Sequence, residues 1–394
     1  MTTRLVVVAS HPVQYQAPYF RALAARPEID FRALYCFLPT PEEQGEGFGA
    51  GFVWDVPVLD GYSWREIPGI KRHGASPHGY RALSAPSIGR TLEEEKPDAL
   101  LVTGWHSRPL VQAARASRRR RIPALLRGDS NDLIKRPLWK RLGHRLLFRR
   151  FAAFLAVGVA NRRFYERAGV APERIFPVPH AVDNERFARL AAELRPRRRE
   201  LREAWGIDAN ATLLLFAGKL EPKKHVGDLF DALEIARRGR IDLRLLVVGS
   251  GVLERELREK AAALRLPVTF AGFLNQGELP RAYGAADALV LPSDTGETWG
   301  LVVNEAMASS LPAVVSDRVG CREDLIEEGV TGFSFPCGNV RALAACLTTL
   351  AADSERTSAM GEAARARVHG GYSIEKVVGG TLAALAAVAD GRVR

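Results

Sequence analysis

Two glutamates, Glu297 and Glu305, stand on either side of a single glycine in the segment ETWGLVVNEAMAS. The apolar run DALVLPSD before them predicts a buried strand, and LVVNEAMAS predicts a helix. A strand that passes through a polar loop into a helix presents free backbone N–H groups and the positive end of the helix dipole, which bind anions. Carboxylates at the same place accept hydrogen bonds from hydroxyl groups. This combination suits a sugar nucleotide, because such a ligand carries both phosphates and hydroxyls.

A second strand-to-helix junction lies upstream, in LLLFAGKLEPKKHVGDLFDALEIA. Gly218 opens a loop after the predicted strand, and Pro222 fits the first position of a helix. Lys223, Lys224 and His225 would then lie in the first helical turn, where positive charge opposes the dipole by about 0.3–1 kcal/mol each. A bound anion would offset this repulsion. The alternative is a solvated basic turn without a ligand.

Lys219 lies in the same loop, so one junction supplies cations and the other supplies carboxylates. If both strands belong to one parallel sheet, the junctions share an edge and can hold one ligand between them. The sequence therefore predicts that Lys219, Lys224, Glu297 and Glu305 converge on one diphosphate. For either glutamate taken alone, a simple favourable interaction with the helix dipole is an equally good explanation.

The three segments AGKLEPKKH, ETWGLVVNEAMASSLPAVVSD and EEGVTGFSFPCGN carry a resemblance to a known family. They resemble the C-terminal domain of retaining glycosyltransferases of the GT-B fold, glycosyltransferase family 4, over about residues 210–390. The resemblance implies an α/β protein with two Rossmann-like, doubly wound domains facing each other across a cleft. It also implies that Lys219 and Lys224 hold the leaving diphosphate, that Glu297 faces the donor sugar and that Glu305 takes the ribose hydroxyls.

The same resemblance implies a complete set of site residues. The catalytic residues would be His106, Lys219, Lys224 and Glu297. The donor would be bound by Gly218, Lys219, Lys224, Gly300, Leu301, Val302 and Glu305, with the main chain from Gly300 to Val302 against the phosphates.

Four positions depart from the family pattern. Lys219 replaces an arginine and loses its bidentate fork, His225 and Ser310 stand where glycine is usual, and Cys321 replaces a frequent second glycine. None of these changes removes a charged group. We expect them to alter loop geometry and donor choice rather than the chemistry.

Acceptor binding is assigned to the loops that follow the first strands of the chain. His11, Gln14 and Gln16 lie in HPVQYQAP after the first predicted strand, in a loop that a solvated surface would explain nearly as well. His106 ends the loop after DALLVTG, where family members bring a histidine near the reacting sugar, although a capping or surface histidine is the alternative. Arg127 and Asp129, in RGDSND after the next strand, are further acceptor-binding candidates.

The elements that must position these residues alternate regularly. Apolar strand-like runs and helical patterns follow each other through all 394 residues, which predicts parallel sheets with crossover helices. A charged stretch after residue 180 suggests a boundary, with an acceptor domain at 1–190 and a donor domain at 191–372. Segment 373–394 would return to the first domain. Residues 38–86 lack clear periodicity and predict long loops at the cleft rim with a hairpin.

The chain's excess positive charge lies in one segment. Residues 115–150 contain thirteen Lys and Arg against two Asp, so their net charge of +11 equals that of the whole chain. The segment KRPLWKRLGHRLLFRRF has seven basic residues, and interspersed with them are apolar residues that include Leu138, Trp139, Leu142, Leu146 and Phe148. This favours a helix on an anionic membrane surface. A solvated basic face whose apolar side packs on the first domain is the main alternative, and a nucleic-acid partner is not expected because no binding motif accompanies it.

The mechanism predicted is front-face transfer with retained anomeric configuration, because no N-terminal segment presents a nucleophile and acid pair of carboxylates. No Asp-x-Asp motif occurs, so neither a metal nor a cofactor is expected beside the nucleoside-diphosphate sugar.

The four cysteines lack metal-ligand spacing. With no signal peptide or apolar run of about 20 residues, the sequence predicts a cytoplasmic protein, at most peripheral on the inner face of the plasma membrane.

The function predicted is transfer of a sugar to an alcohol acceptor, lipid-linked acceptors included, in the assembly of surface polysaccharide, glycolipid or natural products. Two other functions stay open at this point: a GT-B-type nucleotide-sugar epimerase, and a sugar-nucleotide-binding protein without catalytic activity.

Overall fold

The computed structural model describes residues 2–239 and 242–393. Two compact units divide the chain. The first comprises Met1–Gln44, Val56–His180 and Ile374–Arg394, and the second comprises Gly45–Asp55 and Ala181–Ser373. The second unit thus contains a short piece of the N-terminal half, and the first unit contains the last helix of the chain.

The first unit is built on a seven-stranded sheet with the order β3-β2-β1-β6-β7-β8-β9, in which every neighbouring pair is parallel. A separate antiparallel pair, β4 and β5, lies outside this sheet. The strands are β1 (Thr3–Ala9), β2 (Ile29–Tyr35), β3 (Ser63–Glu66), β4 (Lys71–Arg72), β5 (Leu83–Ser84), β6 (Ala99–Val102), β7 (Ala124–Gly128), β8 (Ala153–Ala156) and β9 (Ile175–Pro177).

The second unit is built on a six-stranded parallel sheet with the order β12-β11-β10-β13-β14-β15. Its strands are β10 (Thr212–Ala217), β11 (Leu243–Val248), β12 (Val268–Gly272), β13 (Ala288–Leu291), β14 (Ala313–Ser316) and β15 (Gly332–Phe335). Together the two parallel sheets confirm the α/β architecture that the alternating pattern predicts and the Rossmann-like fold that the family resemblance implies.

Helices connect the strands in both units. In the first half of the chain they are α1 (Ala17–Ala24), α2 (Pro41–Gln44), α3 (Ile88–Glu95), α4 (Arg108–Arg119), α5 (Leu138–Phe148), α6 (Val159–Arg167), α7 (Asn184–Leu194) and α8 (Arg198–Glu203). In the second half they are α9 (Val226–Arg237), α10 (Glu254–Ala263), α11 (Leu279–Ala285), α12 (Leu301–Ala308), α13 (Arg322–Leu325), α14 (Val340–Ala352), α15 (Ser354–Gly371) and α16 (Ile374–Ala389). Short 3-10 turns cover Pro172–Arg174, Arg195–Arg197 and Pro222–Lys224.

The central strands explain why the sequence pattern was easy to interpret. In β8, β13 and β14 all four residues are buried, and in β10 the last five are. A parallel strand covered by helices on both faces must be apolar on both faces, so it appears as a continuous apolar run. The edge strands β3 and β15 lack this run, because only part of each is covered, and the sequence analysis did not predict them. The hairpin predicted within 38–86 corresponds to β4 and β5.

One stretch, Ser354–Ala389, is long and apolar enough by composition to count as a candidate membrane span, which the sequence analysis did not find. In the structure it is two helices. Helix α15 packs against α12 of the second unit, and α16 packs against β8 and β9 of the first. The Tyr19 hydroxyl hydrogen-bonds with the hydroxyl of Thr381 on α16 at 2.8 Å. Because the stretch is broken into two helices that both pack within the fold, it is weak evidence for a span.

Candidate functional site

Each sheet has one point where the strand order reverses. In the first sheet β1 and β6 are neighbours there, and in the second sheet β10 and β13 are. The loops that follow these strands diverge to opposite faces, and the crevice between them is where open α/β sheets bind ligands. All predicted donor-site residues follow β10 or β13, and the predicted acceptor histidines follow β1 and β6.

The two loops of the second unit are joined directly. The backbone N–H of Asp294, after β13, donates to the carbonyl of Lys223, after β10, at 2.9 Å. The Lys224 ammonium forms an ion pair with the Glu297 carboxylate, and both side chains are largely buried. Lys224 Nζ also lies beside Gly218, where an added Cβ would be 3.6 Å from it. Cation and carboxylate from the two junctions thus meet at the switch point, and the ammonium keeps further N–H donors for a ligand.

The helix after β10 begins later than predicted. Pro222–Lys224 form a 3-10 turn, and α9 starts only at Val226, so Lys223 and Lys224 precede the α-helix. The reason is His225, whose φ of 50° is left-handed and interrupts the helical run. Its Nδ1 lies 3.0 Å from the Asp228 carboxylate, which compensates part of the backbone strain.

Lys219 is held by the short piece Gly45–Asp55, which we call the strap. Lys219 Nζ donates to the carbonyl of Glu46 at 2.7 Å and lies 4.8 Å from the centre of the Phe48 ring. Partial burial lowers the pKa of Lys219. The carbonyl of Glu46 therefore occupies one of the hydrogen bonds that Lys219 could make to a phosphate.

The strap is anchored on the strand ends next to Lys219. The Ser250 hydroxyl after β11 donates to the Phe48 carbonyl at 2.6 Å, and the backbone N–H of Gly277 donates to the Asp55 carboxylate at 2.9 Å. The Phe48 and Phe273 rings pack edge to face with centroids 4.9 Å apart. Sequence analysis missed the strap because its contacts join residues that are about two hundred positions apart.

Glu305 lies on α12 in a buried environment of its own. Its carboxylate accepts a hydrogen bond from the Tyr283 hydroxyl at 2.7 Å, and only 7% of the residue is exposed. Burial raises the pKa of Glu305 to about 7, against the opposing effects of the hydrogen bonds from Tyr283 and Gln276 and the charge of Arg186. Of the four charged side chains predicted to converge, only Lys224 and Glu297 contact each other directly; Lys219 and Glu305 each have different partners.

The start of α12 requires glycine. Gly300 has a φ of 96°, and a Cβ there would lie 3.0 Å from Leu291 and 3.1 Å from Val319. Leu301 and Val302 are the first two residues of α12, so their N–H groups lack the carbonyl partners of an α-helix and are available to a ligand.

The departures from the family pattern differ in their structural cost. Ser310, like His225, has a left-handed φ, here 59°, that favours glycine. Cys321 has a φ of −82° and needs no glycine. The essential glycine of that pair is Gly320, whose Cβ would lie 1.8 Å from the carbonyl oxygen of Thr298.

The switch point of the first sheet opens into a cavity of about 220 Å³. It is lined by Ser10, His11, Val13, Tyr15, Gln16, Thr103, Gly104, His106, Arg127, Gly128, Asp129 and His180. Five predicted residues therefore come together here, namely His11, Gln16, His106, Arg127 and Asp129. Gln14 is not among the residues that line the cavity.

Desolvation lowers the pKa of the imidazoles that line this cavity. Desolvation lowers the pKa of His11 to about 4, assisted by His78 and His106. Desolvation also lowers the pKa of His106, which the Asp129 carboxylate opposes, although the His106 side chain stays exposed to solvent. A neutral imidazole both donates and accepts hydrogen bonds, so these residues can orient a hydroxyl group.

Seven of the lining residues were not predicted, and two of these, His180 and Tyr15, carry aromatic rings that contact each other. His180 is 5% exposed, its Nδ1 lies 3.5 Å from Arg127 Nη2, and burial followed by the Arg127 charge lowers its pKa well below the usual value. Tyr15 contacts it edge to face, with ring centroids 6.1 Å apart. His180 follows β9, so its place after a strand end was the signal that could have identified it.

Helix α5 in the first unit turns its apolar residues outward. Leu138, Leu142 and Leu146 stand at i, i+4 and i+8, hence on one face, and are 72%, 59% and 57% exposed, with Trp139 beside them at 69%. Of the five apolar residues named in the sequence analysis, only Phe148 is buried. The alternative in which the apolar side of this segment packs on the first domain is therefore wrong for the other four.

Comparisons with known proteins agree with this geometry. The family model for a glycosyl transferase 4-like domain matches residues 12–181, and that for glycosyl transferases group 1 matches residues 197–367. A D-inositol 3-phosphate glycosyltransferase of Kineococcus radiotolerans is 31% identical over 66% of this chain and 62% of its own length. A GDP-mannose-dependent alpha-(1-6)-phosphatidylinositol dimannoside mannosyltransferase of Mycobacterium tuberculosis is 29% identical over 79% of each chain.

The fold has a close counterpart among solved structures. Anabaena Alr3699/HepE in complex with UDP and glucose superposes with a TM-score of 0.72 at 18% identity, over 98% of this chain and 100% of that one. Two Rossmann-like parallel sheets, each with polar side chains at its switch point, define a protein of the GT-B fold. By the two family models together, the chain belongs to the group 1 glycosyltransferases, glycosyltransferase family 4.

Proposed function

We propose that the protein moves a sugar from a nucleoside-diphosphate sugar to an alcohol acceptor and retains the configuration of the anomeric carbon. The observation that carries this proposal is the ion pair of Lys224 and Glu297 at the switch point, close in sequence to Lys219 and to the N-terminus of α12. Cations and helix N–H groups stabilise the negative charge that develops on a departing diphosphate. Glu297 would hold Lys224 in place and face the donor sugar, and Glu305 would accept hydrogen bonds from the ribose.

The transfer would proceed on one face of the sugar. The acceptor oxygen bonds to the anomeric carbon as the bond from that carbon to the diphosphate oxygen breaks, and the acceptor proton passes to a departing phosphate oxygen. A double displacement needs a second carboxylate beside the nucleophile, and Asp129 is the one carboxylate among the described residues that line the first unit's cavity. The absence of an Asp-x-Asp motif from the sequence supports a metal-independent reaction without a further cofactor.

The acceptor would bind in the cavity at the switch point of the first sheet, with His106 against the reacting hydroxyl. The imidazoles, Gln16, Arg127 and Asp129 of this cavity offer hydrogen-bond donors and acceptors to the hydroxyl groups of a polyol or a sugar. The relatives named for inositol 3-phosphate and phosphatidylinositol dimannoside support a polyol in free or lipid-linked form. Surface polysaccharide, glycolipid and natural-product assembly are the processes that such an activity serves.

The test is incubation with UDP- and GDP-sugars, with and without polyol acceptors, followed by nucleotide release and by NMR of the product's anomeric proton. Acceptor-dependent release with retained configuration is the expected result. Isomerisation of the donor alone would identify an epimerase, and binding without turnover would identify a non-catalytic protein. Inversion would contradict the front-face mechanism.

We also propose that α5 places the protein on the inner face of the plasma membrane, as a cytoplasmic protein. Four outward apolar side chains surrounded by basic residues complement an anionic bilayer, because the apolar groups enter the interface while the cations meet lipid charge. Leu142→Glu should abolish sedimentation with phosphatidylglycerol vesicles. Val252→Glu, at a residue of the second unit that is 79% exposed, should leave it unchanged. Equal losses in both variants, or binding that ignores salt, would contradict this assignment.

A further inference from the structure

A second cavity of the first unit, of about 470 Å³, lies beside the N-terminal part of α5. It is outside the acceptor cavity and shares none of its lining residues. The residues that matter for its chemistry are Asp132, Lys135, Arg136, Arg141, Phe164 and Arg167. Four of these six side chains are cationic.

The positive charge of this cavity is only partly compensated. Asp132 is the acidic residue of the lining, and its carboxylate already pairs with Arg163 and Arg167, each at 3.0 Å. Within residues 2–239 and 242–393, the side chains of Lys135 and Arg141 have no hydrogen-bond or ion-pair partner. The cavity therefore offers an anion two cations that make no direct contact with an acidic group in the described part of the chain.

Arg136 forms a fixed wall of the cavity. Its Nη1 donates to the carbonyls of Asn131 at 2.7 Å and Ile134 at 3.2 Å, and its guanidinium lies 4.5 Å from the centre of the Phe164 ring. A guanidinium held in this way keeps its remaining N–H donors in place for an acceptor oxygen, which lowers the entropy cost of binding.

The cavity adjoins the outward apolar face of α5. Arg141 lines the cavity and is followed by Leu142, while Leu138 and Trp139 begin the same helix directly after Arg136 and Pro137. An anion bound at Arg141 would thus lie at the level where the apolar side chains meet the bilayer. Basic residues alone would suit a nucleic acid equally well, but the exposed leucines favour a lipid.

We propose that this cavity binds the phosphate group of an anionic phospholipid while the apolar face of α5 lies in the membrane surface. The proposal rests on the membrane association proposed above and adds to it a specific headgroup site. If the site exists, the protein should prefer a phosphate group over another negative charge of the same size.

The test compares two kinds of phosphatidylcholine vesicle with matched zeta potential, one charged with phosphatidic acid and the other with cholesteryl hemisuccinate, which carries a carboxylate and no phosphate. Wild-type protein should bind the phosphatidic acid vesicles about fivefold or more tightly, by sedimentation and by Trp139 fluorescence. The double variant Lys135→Ala/Arg141→Ala should bind both kinds equally. The control Arg115→Ala/Arg119→Ala removes the same charge from exposed positions of α4 and should weaken both kinds in the same ratio while keeping the preference.

Any of five outcomes would overturn the headgroup site. Equal binding of wild-type protein to both vesicles would leave membrane association standing and remove phosphate recognition, whereas binding to neither would remove both. A preference that survives in the Lys135/Arg141 variant would place recognition elsewhere. Tighter binding to a short oligonucleotide than to either vesicle, or to glycerol phosphate without a bilayer, would identify a different ligand. Unchanged thermal unfolding of both variants shows that the comparison is between folded proteins.

Discussion

The two switch points share one topology and carry opposite chemistry. At the junction of β10 and β13, charges are paired before any ligand is present, with Lys224 against Glu297 and Lys219 against a backbone carbonyl of the strap. At the junction of β1 and β6, desolvation lowers the pKa of the His11 imidazole to about 4 and also lowers the pKa of His106. The difference supports the proposal that the second sheet holds the diphosphate of the donor and the first sheet holds the hydroxyl groups of the acceptor.

The strongest way to break this comparison is to remove the buried cation. Lys224→Ala should lower kcat by a factor of about 100 or more, equivalent to about 3 kcal/mol, because the diphosphate loses a preorganised positive charge. Steady-state kinetics, with the donor that the nucleotide-release assay selects, measures this effect. Lys223→Ala is the matched control, since Lys223 is more exposed and pairs with Glu221. Near-normal turnover in the Lys224 variant would disprove its role.

The switch point of the first sheet is tested by changing His106. His106→Ala should lower kcat/KM for the acceptor by a factor of about 10–100, because positioning of the reacting hydroxyl is lost. The donor dissociation constant, measured by calorimetry, should stay unchanged, and His106→Gln should restore part of the rate by replacing one hydrogen bond. A weakened donor affinity would assign His106 to the charged site instead.

Glu305, near the second sheet's switch point, should make the stability of the protein depend on pH. Its pKa is raised from 4.5 to about 7 on folding, so the folded state binds the extra proton and stability falls as pH rises between these values. The loss is at most about 3 kcal/mol. Glu305→Gln should remove most of this fall in urea unfolding between pH 4.5 and 8, whereas Glu256→Gln, at an exposed position of α10, should not. Parallel pH profiles for wild type and the Glu305 variant would contradict the assignment.

The smallest expected effect is a change in stability caused by the backbone conformation at the end of α12. Ser310→Gly should stabilise the protein by about 1 kcal/mol. The reason is that the left-handed φ of Ser310 is strained for a residue with a Cβ atom and is not strained for glycine. Ser309→Gly should destabilise it, since Ser309 has an ordinary φ of −88° and its hydroxyl donates to the Glu305 carbonyl at 2.9 Å. Thermal unfolding measures both changes, and the two must have opposite signs for this explanation to hold.

Much of the fold could be predicted because parallel strands covered on both faces leave continuous apolar runs, as in β10 and β13. The edge strand β3 could not, because none of its four residues is buried and it therefore leaves no apolar run. The start of α9 was predicted too early because of the left-handed backbone at His225. Histidine usually adopts ordinary backbone angles, so the residue type does not indicate this conformation.

The sequence by itself determined which polar side chains follow the end of each strand. It could do so because the signals for strands, loops and helices are local. Only the tertiary structure decided which of those side chains meet. It paired Lys224 with Glu297, gave Glu305 to Tyr283, brought the strap to Lys219 and turned the apolar face of α5 outward. The physical reason is that such contacts depend on strand order and on packing between residues distant in the chain, which no local pattern encodes.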